Sequence, residues 1–392
     1  MSLASLTLFQ IAVPLKKVVR HASFERSTSE NLVVQATLSD GVTGYGEGVP
    51  RTYVTGESIE STFALLSRHD WPALIGKPSD YADLSARLAR LEIPEIASDP
   101  RGMAGNAARC ALELALLDAY GRRFGQSVGE AVAFAPIEGL DRHPPARVRY
   151  SSAITADSRR GEIVSAIKTR VYGFHQVKIK VGMDGQDDGE RLSRMRRILG
   201  WRIDARLDAN EAFRADELLE RARALRVCRP SALEQPVPHA EVDRLAEFKG
   251  RLGVPIMLDE SLCGYPDAVH AIERKTADIL NVRLSKCGGI LASLRIIALA
   301  QRSGLGVQLG CHPGETSILS AAGRHVACRL AGIRYLEGSY DRHILARNLT
   351  EADVTFGYGG RARPLPGPGL GIDVDPDRLE TMTLAKRTLT YA

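Results

Sequence analysis

Two lysines and three carboxylates are the residues whose types and spacing suggest chemistry. In "QVKIKVGMD", residues 176 to 184, Val177, Ile179 and Val181 alternate with Lys178 and Lys180. Successive side chains of a strand face opposite ways, so the two ammonium groups share a face, roughly 6–7 Å apart at a rise of about 3.3 Å per residue. Downstream, Asp208 in "RLDAN", Glu234 in "LEQP" and Asp259 in "MLDES" each close an apolar run, spaced 26 and then 25 residues apart, and Asp208 lies 28 residues beyond Lys180. A single acid there would ordinarily be a helix cap. Three in register repel one another unless something neutralises them. A hard divalent cation does so through carboxylate oxygens, and Mg2+ is the natural candidate, with Mn2+ as a substitute. A lysine beside such an ion and a second ammonium has its charged form disfavoured, which moves it toward the range of a general base.

The elements that must position these residues follow from hydrophobic periodicity. From about residue 145, short apolar runs alternate with helical stretches: "ARVRYSSAI", "QVKIKV", "RIDARLDAN", "SALEQP", "VPIMLDES", "DILNVRLSKCGG", "LGVQLGCH" and "GIRYLEGS". Eight strands mostly 20 to 30 residues apart, with amphipathic stretches such as "DELLERARAL" and "ASLRIIALAQRSG" between them, predict parallel βα units closing into a barrel over 145–360. The strand ends then deliver the lysines and acids to one mouth. Ahead of the barrel, "LTLFQIAVPL" and "NLVVQATLSDGVTGYGEG" read as strands, the second interrupted by a hairpin signal at "SDG". Helical periods follow at 57–69, 80–92 and in "AGNAARCALELALLDAYGRRFG", so residues 1–130 form an α+β domain. The tail, 361–392, breaks the rhythm and is expected to pack back on that first domain. Its "GPGLG" lacks the full GxGxxG spacing and no helix follows directly, which argues against a dinucleotide loop.

Composition narrows the class. The chain has 392 residues, more than one core usually supports, hence two domains. Hydrophobic residues at 44% and charged residues at 25% are ordinary for a soluble globular protein, and no apolar run reaches the length of a membrane helix. The apolar N-terminus has no charged region ahead of it and reads as a strand, not a signal peptide. The six cysteines form no CxxC and sit in apolar surroundings, as core thiols of a cytoplasmic protein do. A net charge of +5 without a basic run gives little footprint for nucleic acid. A small-molecule partner is expected, with no membrane.

The ordered series "KIK", "LDAN", "EQP", "LDES" and "LSKCGGI" resembles the enolase superfamily, in particular its muconate-lactonizing enzyme subgroup. "GYGEGVPRTYVTGES", "AARCALELALLDAYG" and "PGLGI" are similar to that group's capping domain and C-terminal return, so the resemblance covers nearly the whole chain. It implies a (β/α)7β-type TIM barrel with an N-terminal α+β cap. It also implies Mg2+ held by Asp208, Glu234 and Asp259, Lys180 as the base that removes the proton α to a substrate carboxylate, Lys178 as its electrostatic neighbour, and a metal-stabilised enediolate. Stretches 20–27 and 51–55 resemble the loops that choose substrate in the family, and the resemblance implies a homo-oligomer.

Two departures bear on the reaction. The subgroup places a second lysine on the sixth strand, where this chain has Arg283. A guanidinium stays protonated, making it a poor base and a good fixed cation for an anion. Lys286, three residues on, reads as a structural residue. The subgroup's dipeptide epimerases carry an Asp-x-Asp on the eighth strand, where this chain has Leu336 and Gly338, with Glu337 between them. The leading expectation is therefore a one-base cycloisomerase or syn β-elimination. The alternatives are a racemase or epimerase of an N-acyl amino acid or dipeptide, with Lys286 as second base, and a catalytically impaired acid-binding relic. Glu315 in "GCHPGETS" could orient substrate or simply open a helix, His312 reads as a loop histidine, and Asn210 could hydrogen-bond a metal ligand.

Overall fold

The computed structural model describes residues 1–21, 24–143, 147–155, 158–183 and 185–391. Eight strands form one parallel sheet in sequence order: Ser152–Ile154, Gln176–Lys180, Asp204–Asp208, Leu233–Glu234, Ile256–Leu258, Ile279–Arg283, Gly306–Gly310 and Ile333–Leu336. Ser151 N donates to Leu336 O at 2.8 Å, joining the last strand to the first and closing the ring. Val177 and Ile179 are fully buried while Lys178 and Lys180 alternate with them, as the pattern of the second strand predicts. Helices begin where short polar side chains cap their free N–H groups: Ser158 accepts from Gly161 N ahead of Arg159–Val171, and Asp187 from Glu190 N ahead of Asp188–Leu199. Between the fourth and fifth strands the expected helix is instead a 3-10 segment, His239–Glu247, with Val242 and Leu245 buried at the three-residue spacing such a helix presents.

The cap is a four-stranded antiparallel sheet built from Leu3–His21, Phe24–Leu38, Thr43–Gly48 and the C-terminal Thr383–Thr390, which pairs with the first of these. Of stretch 20–27, residues 20–21 and 24–27 are strand; Ala22 and Ser23 lie outside the described residues. The 19-residue helix Asn106–Phe124 lies on the sheet against Gly44, Gly46 and Gly48. Period two puts all three glycines on one face, and the helix backbone occupies the space their side chains would take. A Cβ on Gly46 would stand 1.9 Å from Ala111 O, and one on Gly48 2.1 Å from Ala107 O.

Buried polar groups tie cap to barrel. Glu113 accepts from Leu291 N (3.1 Å) at the start of helix Ile290–Arg302. Asn106 donates to Cys263 O and Lys286 O (both 2.8 Å), and Val49 N donates to Ser285 Oγ (2.7 Å). Glu47, with no exposed surface, accepts from Asn31 Nδ2 (2.6 Å), Thr316 N (3.0 Å), Thr316 Oγ1 (2.8 Å) and Leu319 N (3.2 Å), clamping the turn after the seventh strand. All six cysteines are free thiols, five of them buried. Among the described residues no helix is long and apolar enough to cross a membrane.

Because backbone cannot retreat from a new methyl group as a side chain can, Gly46→Ala is expected to destabilise the protein by about 3 kcal/mol. Urea unfolding of the variant beside the parent measures this; an unchanged midpoint would show that helix and sheet can separate freely.

Candidate active site

The barrel register sets the site. Lys180 is paired with Asp208, and Asp208 with Glu234, so the ends of the second, third and fourth strands stand level around the mouth. Glu234 pairs with Met257, which puts Asp259 just past the end of the fifth strand. Asp208, Glu234 and Asp259 are essentially inaccessible, at 2%, 0% and 0% exposure. Lys178 stands with Asp208 and Glu234, while Asp259 is paired with Arg283 and Lys286 instead. Gln235, in the left-handed region at φ 33°, holds the next loop: its Oε1 accepts from Asp259 N (2.9 Å) and Ser261 N (3.2 Å).

Lys178 is the hub. Its Nζ lies 3.0 Å from Glu337 Oε1, 3.3 Å from Asp208 Oδ2 and 3.7 Å from Glu234 Oε1. Burial works against the ammonium, but Glu234, Glu337 and Asp208 outweigh it and hold its pKa above the ordinary lysine value. Lys180, one step along the same face, goes the other way. Burial lowers its pKa, and Lys178 and Arg283 add to the shift against the opposing pull of Asp208 and Glu260. Two lysines of one strand are thus driven apart, one fixed as a cation and one pushed toward the neutral form. Glu234 is raised by burial despite Lys178, and Glu260 is raised to about 8 by burial and by Asp208.

Arg283 and Lys286 both close on Asp259. Arg283 pairs with Oδ2; Lys286 Nζ donates to Oδ1 (2.7 Å), to Asp259 O (2.5 Å) and to Asn281 O (3.1 Å). Lys286 has no exposed side-chain surface, and its three donors are committed. Asn210, in the left-handed region, donates its backbone N–H to Asp208 Oδ1 (3.1 Å) and its side chain to Glu260 Oε1 (3.2 Å). Glu315 accepts from His312 N (2.6 Å) and is raised to about 8 by burial, while burial drives His312 well below its usual pKa. From the two cap stretches, Arg26 donates to Pro313 O (3.1 Å) and Arg51 to Ser29 Oγ (2.6 Å) and Glu30 O (2.9 Å).

Sequence reasoning missed two members of this network. Arg206, 1% exposed, donates to Glu337 and to Ser151 Oγ (3.0 Å), and lies 4.0 Å from Glu234 Oε2. It sits two residues before Asp208, and that period-two offset is the signal that could have found it. Glu260 follows Asp259 directly, and strand alternation alone would have pointed it away from the mouth.

The donor chemistry fits a hard divalent cation: every acid at the mouth offers oxygen, and Glu234 Oε2 is buried without a hydrogen-bond partner. Asp208, Glu234 and Asp259 would hold it. Among the described residues no three acidic, histidine or cysteine side chains stand as a ready cage, because Lys178, Arg283 and Lys286 draw the carboxylates toward themselves.

Comparison with known proteins agrees with this geometry. Residues 4–132 match the model of the mandelate racemase / muconate lactonizing enzyme N-terminal domain, and 162–378 the enolase C-terminal domain-like model. An N-succinyl-L-Arg/Lys racemase of Bacillus cereus is 28% identical, covering 83% of this chain and 84% of the relative, and its crystal structure superimposes at a TM-score of 0.84, with 26% identity over 99% of this chain and 100% of that one. An L-Lys-D/L-Arg epimerase of Methylococcus capsulatus is 32% identical (86% and 90% covered), and muconate cycloisomerase 1 of Rhodococcus opacus 28% (92% of each). A dipeptide epimerase from Cytophaga hutchinsonii complexed with Mg and D-Ala-L-Val shares the fold at a TM-score of 0.82 and 23% identity, covering 99% of this chain and 100% of that one.

Removing the hub should be costly. Lys178→Met leaves three buried acids facing one another, and a loss of about 3–5 kcal/mol is expected. The acid limb should change with it. Burial alone would raise Glu337, yet Lys178 and Arg206 hold it down at about 2. A depressed carboxyl stabilises above its unfolded value of about 4.3, and that contribution is lost as pH falls through the folded value. Stability measured from pH 5 to pH 2 should therefore fall more steeply in the parent than in Lys178→Met; parallel curves would contradict the assignment.

Proposed function

Because the chain belongs to the mandelate racemase / muconate lactonizing enzyme family of the enolase superfamily, we propose that it removes the proton α to a substrate carboxylate, with Lys180 as the only base, and completes a cycloisomerisation or a syn β-elimination. One observation carries the one-base reading. On the sixth strand, four strands around the barrel from Lys180, stands Arg283, and the nearby lysine, Lys286, is buried with every donor engaged. Racemisation needs an acceptor on each face of the carbanion, and a guanidinium is not one.

A divalent cation held by Asp208, Glu234 and Asp259 supplies charge stabilisation to the carboxylate as its α-carbon loses the proton. The chain's own groups do the rest. Lys180 takes the proton, its pKa already lowered by burial. Lys178, locked between Glu234, Asp208 and Glu337, keeps a fixed positive charge beside it. Arg283 presents a second fixed cation from the far side.

A second reading is racemisation or epimerisation of an N-acyl amino acid or dipeptide. The relatives favour it, since a racemase and an epimerase stand among them at 28–32% identity. That reading requires Lys286 to release Asp259 and Asn281 and serve as the second base. The substrate under either reading meets an entrance rich in cations: Arg26 and Arg51 from the cap approach the turn that carries His312, and Arg283 packs against Gly310 two residues before it. Arg51 is 6% exposed and makes no ion pair among the described residues. An acid with a second anionic group suits this entrance better than one with a cationic side chain.

Exhaustive chelation should abolish turnover, and Mg2+ should restore it; Asp208→Asn should not recover with added metal while remaining folded by circular dichroism. In D2O, proton NMR should show α-exchange from one stereoisomer of an N-acyl amino acid and almost none from its mirror image. Lys180→Ala should lower that exchange by about 10²–10⁴-fold, and Arg283→Lys should open exchange on the other face. Equal exchange from both isomers in the unaltered protein would put the epimerase reading first.

A further inference from the structure

The opposite end of the barrel carries a group of arginines with hardly an acid among them. A cleft of about 630 Å3 opens there, lined in part by Arg147, Arg149, His175, Asp204, Ile333 and Arg334. His175 and Gln176 begin the second strand, Asp204 the third and Ile333 the eighth. The cleft therefore faces away from Lys180 and Asp208, which end their strands about 13 Å farther along at 3.3 Å per residue.

The charges here are arranged against themselves. Arg149 stands directly opposite Arg361 in a two-residue antiparallel ladder, Val148–Arg149 against Arg361–Ala362. Like charges in that relation destabilise a sheet. Arg149 NH1 also lies 2.5 Å from His175 Nε2, which makes the imidazole an acceptor and keeps it neutral; burial, then Arg149 and Arg361, lower its pKa accordingly. Arg334 adds a fourth basic group, its guanidinium 5.3 Å from the Tyr335 ring centroid with one N–H donated to Ser231 O at 3.3 Å. Among the described residues, none of Arg147, Arg149, Arg334 and Arg361 forms an ion pair. Elsewhere this chain pairs arginines readily, as Arg191 with Glu162 and Arg122 with Asp118. Asp204 is the single acid in the lining.

We propose that this cleft binds a small phosphorylated molecule, with Arg149 and Arg334 of its lining, and Arg361 beside it across the ladder from Arg149, as the groups that take the phosphate. Guanidinium forks match phosphate oxygens two at a time. The size fits an organic phosphate, since ligand sites commonly enclose about 300–1,000 Å3, and Leu330 and Ile333 give the organic portion an apolar floor. An anion held between Arg149 and Arg361 turns their repulsion into a shared contact.

Isothermal titration of the full chain in Mg2+ buffer, with AMP as the probe and inorganic phosphate as competitor, tests this. One saturable site is expected, weakened by raising salt from 50 to 200 mM and displaced by inorganic phosphate. Arg149→Gln combined with Arg361→Gln should weaken AMP at least tenfold, with a melting temperature unchanged or higher because the like-charge pair is gone; Arg334→Gln, which leaves the ladder intact, should weaken it several-fold. The α-proton exchange at the barrel mouth should be unaffected in both variants. Absence of saturable binding of either probe, or AMP binding that survives these substitutions, overturns the proposal. Duplex DNA binding more tightly than AMP at 150 mM salt would also overturn it, in favour of a nucleic-acid surface.

Discussion

Everything at the mouth depends on how Lys178 is held. A primary ammonium with 11% of its side chain exposed is expensive to keep charged unless acids surround it. Here three do, delivered by the third, fourth and eighth strands. Those acids need a cation as much as Lys178 needs them, and Arg206 supplies a second one to Glu337 from beneath. The outcome is a charge lattice in which Lys180, the neighbour of Lys178 along the strand, is pushed toward neutrality, as burial also pushes Lys286 beyond the sixth strand. The asymmetry between two lysines two residues apart comes from where the acids lie, and the barrel register fixes that.

The cap contributes by a different physical route. Glu47, Glu57 and Glu113 are buried carboxyls whose pKa values burial raises to about 7. Each accepts from a backbone N–H at the start of a helix, including Ala107 N for Glu57 (2.9 Å) and Leu291 N for Glu113, whose second oxygen, Oε2, is buried without a hydrogen-bond partner. Glu47 and Glu113 join the cap to the barrel at Thr316 and Leu291, whereas Glu57 ties two cap segments together through Thr55 and Ala107. Arg26 donates to Pro313 O in the turn after the seventh strand, which Asn31 and Glu47 also bind to the sheet.

Much of this was legible in the chain. Apolar runs at βα spacing announced the barrel, and three acids one unit apart announced the mouth, because both signals are periodic and local. The alternation in "QVKIKV" was enough to place both lysines. What escaped was non-local. Nothing near Glu113 in sequence indicates that Leu291, 178 residues away, will meet it. Arg283 could be recognised as a departure, but its pairing with Asp259 depends on side-chain directions on adjacent strands. The strand residues 24–27 were read as part of a loop because the sequence there lacks the apolar alternation that marks a strand resting on a core.

The pairing of Thr383–Thr390 with Leu3–His21 bears on how the molecule is made. Thr7 and Thr388 touch across that ladder at a separation of 381 residues. During synthesis at about 5–20 residues per second, the first strand waits tens of seconds with one edge unpaired. An unpaired edge of that length invites pairing with another chain. The three N-terminal strands and their glycine-packed helix can assemble early, whereas the edge is sealed only after the barrel between the two strands has emerged. Nascent chains halted before residue 383 would carry a formed barrel and an open sheet, and chaperone demand should concentrate there.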